Sequence, residues 1–369
     1  MHIPFMRLDR QFEHDREGFL AAVTQVFTHG NVLQGPETII LENRLANLFS
    51  IDNAVVVGSG TDALIMALRS LNLPTDGKVA VTSLSFIASA SAIVHTGSIP
   101  VFVDVEDKYL FAKEDVLFDL VDKKRVDAVI AVHLYGQMTE LSAVHTRARE
   151  QGIPVIEDAA QALGATRHKQ APGCYSEVTC VSFDPTKVIG AHGSGGALLT
   201  ADPEQAKKLR KLRYHGHAGN RIYTEIGYNS QLPTVQAALI NRKLDFEISW
   251  RERRQAIAAA YDIALAGHPD IQAPTVRPDN THVYHKYVVR VPARRNALIS
   301  HLKNHGIDTS VHYSVSLHKQ PCFAGRYETA GDMDRVTYWT GRILSLPIYP
   351  ELTDTEVAFI CNAVNIWRA

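Results

Sequence analysis

Through the first 200 residues, short apolar runs alternate with stretches of helical pattern, and few architectures accommodate that rhythm. NAVVVG (53–58) leads into TDALIMALRSL, and VAVTSLSF (79–86) leads into IASASAIVHTG. IPVFVDV (99–105) is followed by DAVIAVHLYG (127–136) and by a helical stretch from Ser142 to Glu150. IPVIED (153–158), VTCVSFD (178–184) and GALLT (196–200) complete the series. Runs this short, rich in Val and Ile and bounded by Gly and Asp, suit strands buried on both faces of a parallel sheet. The intervening helices then cover that sheet, which places the chain in the α/β class. Ahead of the first strand, Pro36 opens a helix predicted to reach Ser50, with Ile40, Leu41, Leu45, Leu48 and Phe49 at helical spacing.

The pattern changes near Pro233. Residues 234–265 read as one long, charge-rich helical connector. A strand in HKYVVRV (285–291), a helix in RRNALISHLKNHG stopped by Gly306, a strand in LSLPI and a helix from Thr353 to Ile366 follow. A chain of 369 residues ordinarily forms one large domain with a smaller one. The expected division is a large domain over 1–245, including the N-terminal segment, and a smaller C-terminal α+β domain over 246–369. There is no internal repeat and no low-complexity tract.

A formal net charge of −1 leaves no electrostatic footprint for nucleic acid or for an anionic membrane. No apolar run approaches the roughly 20 residues of a membrane helix, and MHIPFMRLDRQFEH is too polar and acidic for a secretory leader. Cys174, Cys180, Cys322 and Cys361 form no CxxC pair and read as reduced thiols. A soluble, cytoplasmic protein is expected.

Three segments carry chemistry. Gly58-Ser59-Gly60-Thr61-Asp62-Ala63 joins a strand to a helix and matches the G-x-G-x-x-A dinucleotide fingerprint. That reading requires an acid about 20 residues on to hold a ribose, and residues 77–103 contain no Asp or Glu. The more general reading is a helix N-terminus offering free N–H groups to a phosphate, against a tight turn with no ligand. The second segment ends IPVIED with Asp158. The third, VSFDPTK, carries Lys187 ahead of a glycine-rich stretch, 29 residues further on. Ligands of open α/β sheets bind at the carboxyl ends of strands. An amine and a carboxylate meeting there suit pyridoxal phosphate (PLP): the amine condenses with its aldehyde and the carboxylate pairs with the pyridinium nitrogen.

In order along nearly the whole chain stand GSGTDAL, TSLSFIASA, PVFVDV, HLYGQ, IEDAAQALGA, SFDPTK with GSGG, GYNSQL-x-x-x-QAA, HVYHKY and LSLPIYP. With these the chain resembles the DegT/DnrJ/StrS family of PLP-dependent sugar aminotransferases, of the aspartate aminotransferase-like fold type I. The resemblance implies a large domain with a mainly parallel sheet flanked by helices. It implies that Lys187 forms the Schiff base and that Asp158 pairs with the ring nitrogen. Gln161 then lies close to the cofactor, Gly60, Thr61 and Ser182 hold the phosphate, and Phe86 stacks on the ring. Asn229 reaches the phosphate of the neighbouring subunit, so the enzyme is a homodimer with shared active sites. His312, Tyr313 and His318 fall where the family places the nucleotide-sugar, with a loop or core role for this segment as the competing reading. His215-Gly216 matches an RxHG motif.

The chain departs from the family pattern at Gln231, where Arg is frequent after GYNS. It departs also at Val188 and Ser194, which replace Asn and Asp, and at Ser314 in the usual HYP motif. Lys187 argues against the dehydratases of the family, which carry His there. No metal site is expected: His301 and His305 lack the glutamate of a metalloprotease helix, and His282 and His285, three apart in a strand-like run, would face opposite sides. The implied reaction moves an amino group from L-glutamate through PLP to a nucleotide-linked keto-sugar, with the sequence after Phe183 leaning towards 3-keto. The alternatives are a non-nucleotide substrate, such as a cyclitol ketone or an aminobenzoate precursor, and a nucleotide-binding or regulatory protein without turnover.

Overall fold

The computed structural model describes all residues 1–369. Its twelve strands are β1 (Asn53–Val57), β2 (Lys78–Thr82), β3 (Ile99–Val103), β4 (Ala128–Val132), β5 (Val155–Asp158) and β6 (Thr166–Arg167), then β7 (Val178–Ser182), β8 (Gly196–Thr200), β9 (Asn280–Thr281), β10 (Tyr287–Arg290), β11 (Glu328–Ala330) and β12 (Ile343–Leu346). Eight of them form one sheet in the order β1-β8-β7-β5-β4-β2-β3-β11. Only β8 runs against the rest: it is antiparallel to both β7 and β1, so β1 points the same way as β7. The sheet is therefore mainly parallel, and the carboxyl ends of β1, β5 and β7 share one edge.

Successive residues of a strand point to opposite faces, and both faces are apolar here. Val55 and Val57 pack into one cluster with Ala63, Met66 and Ala67 of the helix Gly60–Ser70. Ala54 and Val56 pack into another with Leu41 and Leu45 of the helix Pro36–Phe49 and with Ile240. A third cluster joins Val289, Leu344 and Leu346 of the antiparallel pair β10–β12 to Tyr261, Ile360 and the N-terminal Ile3. Towards the C-terminus, β11 adds a parallel edge strand beside β3, and Leu317, Phe323 and Trp339 enter the cluster over the large sheet.

Two local expectations are corrected. The connector is two helices, Thr234–Leu244 and Glu247–Leu265. At Asp245 and Phe246 the backbone N–H groups bond three residues back, to Arg242 and Lys243, which tightens the turn while Phe246 stacks on Trp250 with ring centroids 5.6 Å apart. The second correction concerns His282 and His285. They do not lie in a strand and face opposite sides. Only residues 280–281 are extended in a ladder, and both histidines are buried. Residues 283 and 286 instead hydrogen-bond Gly136 and Tyr135, in the turn after β4. A Cβ on Gly136, at φ +114°, would lie 2.8 Å from the His285 nitrogen, so only glycine allows this approach.

Gly196 occupies the tightest point of the sheet edge. It pairs with Ser182 on one side and Val57 on the other. A Cβ there would meet the Ser59 carbonyl oxygen 2.3 Å away. We expect Gly196→Ala to lower the urea midpoint by the equivalent of about 1–3 kcal/mol, the usual cost of overpacking, and to shift the Ser59–Gly60 turn. Equal midpoints for the two chains would refute the tight packing.

Candidate active site

The carboxyl ends of the strands open onto a cavity of about 370 Å³. From β1 the chain turns through Gly58 and Ser59 into the helix Gly60–Ser70. Ser59 caps that helix, its hydroxyl accepting the Asp62 N–H at 3.0 Å. The N–H groups of Gly60 and Thr61 have no intrahelical partner and, with the positive end of the helix, border the cavity beside Ser182. Ser230 braces the turn. Its hydroxyl accepts the Gly58 N–H at 2.9 Å and donates to Asp62 at 2.6 Å.

Asp158 is the last residue of β5 and is only 4% exposed. One carboxylate oxygen accepts from the Ser89 hydroxyl at 2.7 Å, the other from the Ala160 N–H at 3.1 Å. Ser89 spends its single proton on Asp158, so Ser85, 2.9 Å away, donates to Ser89. No cation lies within ion-pair distance of this carboxylate. It is a buried carboxylate held by hydroxyl and backbone donors, and it borders the cavity.

Lys187 lies on the loop between β7 and its antiparallel return, β8. Asp184 shapes that loop. Its carboxylate accepts the Thr186 N–H at 3.0 Å and the Thr186 hydroxyl at 2.6 Å, while its carbonyl accepts the Lys187 N–H at 2.9 Å. Behind it the buried Lys243 donates to the Gly190 carbonyl at 2.7 Å. The Lys187 amine reaches the cavity half-buried. Burial lowers its pKa, against the opposing pull of Asp158 and Asp184.

The structure therefore brings Gly60, Thr61, Phe86, Asp158, Gln161, Ser182, Lys187, His312 and Tyr313 to one cavity. Gln161 accepts the Tyr135 N–H at 2.8 Å and donates to the Tyr313 hydroxyl at 3.1 Å. Phe86 is half exposed, and its ring lies 6.2 Å from that of Tyr313. His312 hydrogen-bonds Ser345 at 2.8 Å, and burial followed by Lys286 and Lys187 takes its pKa down to about 3. Two expected residues lie outside. His318 hydrogen-bonds Ser83 at 2.7 Å, and Asn229 is an exposed residue of the Tyr214–Ser230 loop. No three His, Cys, Asp or Glu side chains are grouped to hold a metal, and no helix is long and apolar enough to cross a membrane.

Sequence reasoning missed Ser85, Ser89, His285 and Lys286. Ser85 lies in the bend before the helix Ala88–His95 and Ser89 in its first turn, so no helical spacing in TSLSFIASA marks the pair. His285 and Lys286 stand in HVYHKY, a run that carries the resemblance but assigned neither a role. His285 is 3% exposed with an unpartnered Nδ1, and burial keeps it neutral.

Residues 13–365 match the DegT/DnrJ/EryC1/StrS aminotransferase family. The dTDP-3-amino-3,4,6-trideoxy-α-D-glucose transaminase of Streptomyces venezuelae is 38% identical, over 99% of this chain and 96% of its own. The UDP-N-acetyl-3-dehydro-α-D-glucosamine 3-aminotransferase of Acidithiobacillus ferrooxidans is 33% identical, over 98% and 97%. The structure of an S. venezuelae protein in complex with a ketimine intermediate superposes with a TM-score of 0.94 at 38% identity, covering 99% of this chain and 98% of that one. A sugar aminotransferase structure from Streptococcus pneumoniae in its PLP form gives 0.86 at 26% identity, covering 95% of each. The fold and cavity are those of a fold type I aminotransferase. The chain belongs to the DegT/DnrJ/EryC1/StrS aminotransferase family and is an enzyme of the transaminase class.

The donor set fits pyridoxal phosphate. Free N–H groups and a serine hydroxyl at one end suit a phosphate, an unpaired buried carboxylate suits a protonated ring nitrogen, and a deprotonatable amine lies between them. Because a lowered pKa leaves more neutral amine at a given pH, we expect Lys187 of the cofactor-free chain to acetylate faster at pH 8 than exposed lysines do. Competitive labelling with peptide mapping checks this, and a rate at or below the surface average would refute it.

Proposed function

We propose that this enzyme moves an amino group from L-glutamate to the ketone of a nucleotide-linked 3-keto-sugar, using pyridoxal phosphate. The observation that carries the reading is the convergence of Lys187, Asp158 and the N-terminus at Gly60-Thr61 in one cavity. Bound there, the cofactor supplies an aldehyde for amines and a ring that stores the electrons released when the C–H bond breaks. Gly60, Thr61 and Ser182 hold the phosphate. Phe86 covers a ring face, and Gln161 with Tyr313 fixes the edge nearby. Asp158, ionised, keeps the ring nitrogen protonated. Lys187, as a neutral amine, carries the proton between the donor carbon and the cofactor carbon, and burial keeps that form accessible.

Support for the 3-position comes from the S. venezuelae and A. ferrooxidans relatives, both named for amination there. An amino sugar on a nucleotide carrier is a precursor for polysaccharide or glycosylated metabolites. We infer a homodimer with shared sites. Asn229 is exposed outside its own cavity, and exposed Ile222, Tyr223 and Ile226, the last 96% accessible, stand close to it in sequence. Gln231 at this surface hydrogen-bonds Gln34.

Lys187→Ala is expected to abolish the visible band formed on adding pyridoxal phosphate and to slow 2-oxoglutarate release by roughly 10²- to 10⁴-fold. Full turnover would end the assignment. With the wild-type enzyme, dTDP- and UDP-linked keto-sugars are screened with glutamate; turnover confined to 4-keto sugars would overturn the regiochemistry. Asn229→Asp is expected to weaken cofactor binding roughly tenfold through like-charge repulsion, and sedimentation of the wild type should report a dimer. A monomer with full activity would remove the shared site.

A further inference from the structure

Lys286 is a lysine with a buried stem whose amine the fold leaves without an acceptor. It is 5% exposed and borders the cavity. Its Nζ donates to no group in the chain, no carboxylate lies within ion-pair distance, and its one specific contact is the ring of Phe5, 5.1 Å away. Lys243 shows what a structural buried lysine looks like here: its Nζ donates to Gln11 at 3.1 Å and to the Gly190 carbonyl at 2.7 Å. An ammonium held in a confined cavity without such partners is poorly stabilised. The neighbours add to the cost, since Arg254 and Lys187 repel the charge and only Asp184 opposes them. Burial and these cations take its pKa down to about 7.

An ammonium offers three donors and no acceptor. Its missing partner is therefore an acceptor, and with Arg254 and Lys187 both adding positive potential it is an anion. Position narrows the identity further. The segment is fixed by the Lys286 N–H bond to the Tyr135 carbonyl after β4, whereas the phosphate turn follows β1, four strand spacings away in the sheet. Lys187, after β7, lies between them in strand order. The anion that Lys286 takes is thus distinct from the one at Gly60-Thr61, and it belongs to the molecule whose carbon faces Lys187.

We propose that Lys286 is a specificity-determining residue that pairs with a substrate carboxylate held next to the reacting carbon. The proposal rests on the aminotransferase reading of the cavity and extends it. The α-carboxylate of an amino-acid donor, one bond from the reacting carbon, fits that requirement best. A carboxylate on the sugar acceptor is the second source of the same chemistry. His312, neutral and fixed by Ser345, and His285, with an orphaned Nδ1, also line the cavity and add no charge to it.

The test uses the holoenzyme with Lys286→Met, nearly equal in length and uncharged, and Lys286→Arg. In single-turnover absorbance measurements the half-saturating L-glutamate concentration should rise roughly 10- to 100-fold in Lys286→Met, with the saturated rate changed less, and Lys286→Arg should restore part of the loss. L-Isoglutamine, which lacks the α-carboxylate, should bind wild type and Lys286→Met alike, while L-glutamine, which lacks the distal one, should still tell them apart. If isoglutamine tells the two enzymes apart as glutamate does, the α-carboxylate assignment is overturned in favour of the distal one; if glutamate does not tell them apart, the donor carboxylate is excluded. A loss confined to uronic-acid nucleotide sugars, absent with neutral ones, would then assign the residue to the acceptor. A second readout is independent of turnover. 2-Oxoglutarate should raise the unfolding temperature of wild type and not of Lys286→Met, whose own unfolding temperature without ligand should equal or exceed the wild-type value. A lowered unfolding temperature with unchanged glutamate and uronate dependence would make Lys286 structural and overturn the proposal. Lys286→Met that keeps the visible band yet binds every carboxylate normally defeats this inference alone; Lys187→Ala that keeps its turnover defeats the reading beneath it.

Discussion

The antiparallel return of β8 between β7 and β1 is the constraint on which the site depends. A parallel β7–β8 connection would need a crossover of a dozen or more residues carrying the chain to the far edge. The hairpin keeps its whole connection, residues 183–195, at the carboxyl edge, and that connection holds Lys187. The same pairing sets Gly196 between Ser182 and Val57, so the residue after β7, the lysine loop and the turn into the Gly60 helix are locked in one register. Asp158 joins them because β5 is the other neighbour of β7. Amine, carboxylate and helix N-terminus are thus positioned by backbone hydrogen bonds of the sheet rather than by flexible side chains.

Charge is distributed around this frame in two ways. Away from the cavity, Arg213 donates to Glu42 at 2.7 Å and Arg254 to the Ile348 carbonyl at 2.8 Å, while both Glu351 oxygens and the Nε atoms of Arg213 and Arg254 are buried without a partner. At the cavity the open charges border space that a ligand can reach. Lys187, Lys286 and one side of Asp158 await partners that the chain does not provide. Unpaired buried charge lowers the stability of the folded chain, and binding a complementary ligand recovers it. The dynamics that follow are local, since the groups stand on elements whose cores are fully buried.

Much of this was legible in the sequence wherever local pattern and strand order coincide. The Val-rich runs gave β1, β5 and β7 because a strand buried on both faces tolerates little else, and Asp158 and Lys187 were readable because they follow such runs directly. The direction of β8 was not, since GALLT is equally apolar in either orientation. β11 was missed because Glu328-Thr329-Ala330 is short, half polar and held by the edge of β3. Lys286 was hidden for a deeper reason. Its burial is produced by contacts with Tyr135, Gly136 and Phe5, up to 281 positions away in sequence, and no local periodicity encodes them.

The family departures sort themselves by where they fall. Val188 is buried in the cluster beneath the lysine loop, so its change is one of packing. Gln231 is engaged with Gln34 at the surface that carries Asn229, and Ser314 is exposed next to Tyr313. Only Ser194 borders the cavity itself. A carboxylate there would add negative charge to a cavity lined by Lys187 and Lys286; a serine adds none. A neutral Ser194 leaves the cavity with less negative charge than an Asp would, so on the proposed role of Lys286 the two residues are to be read as a pair.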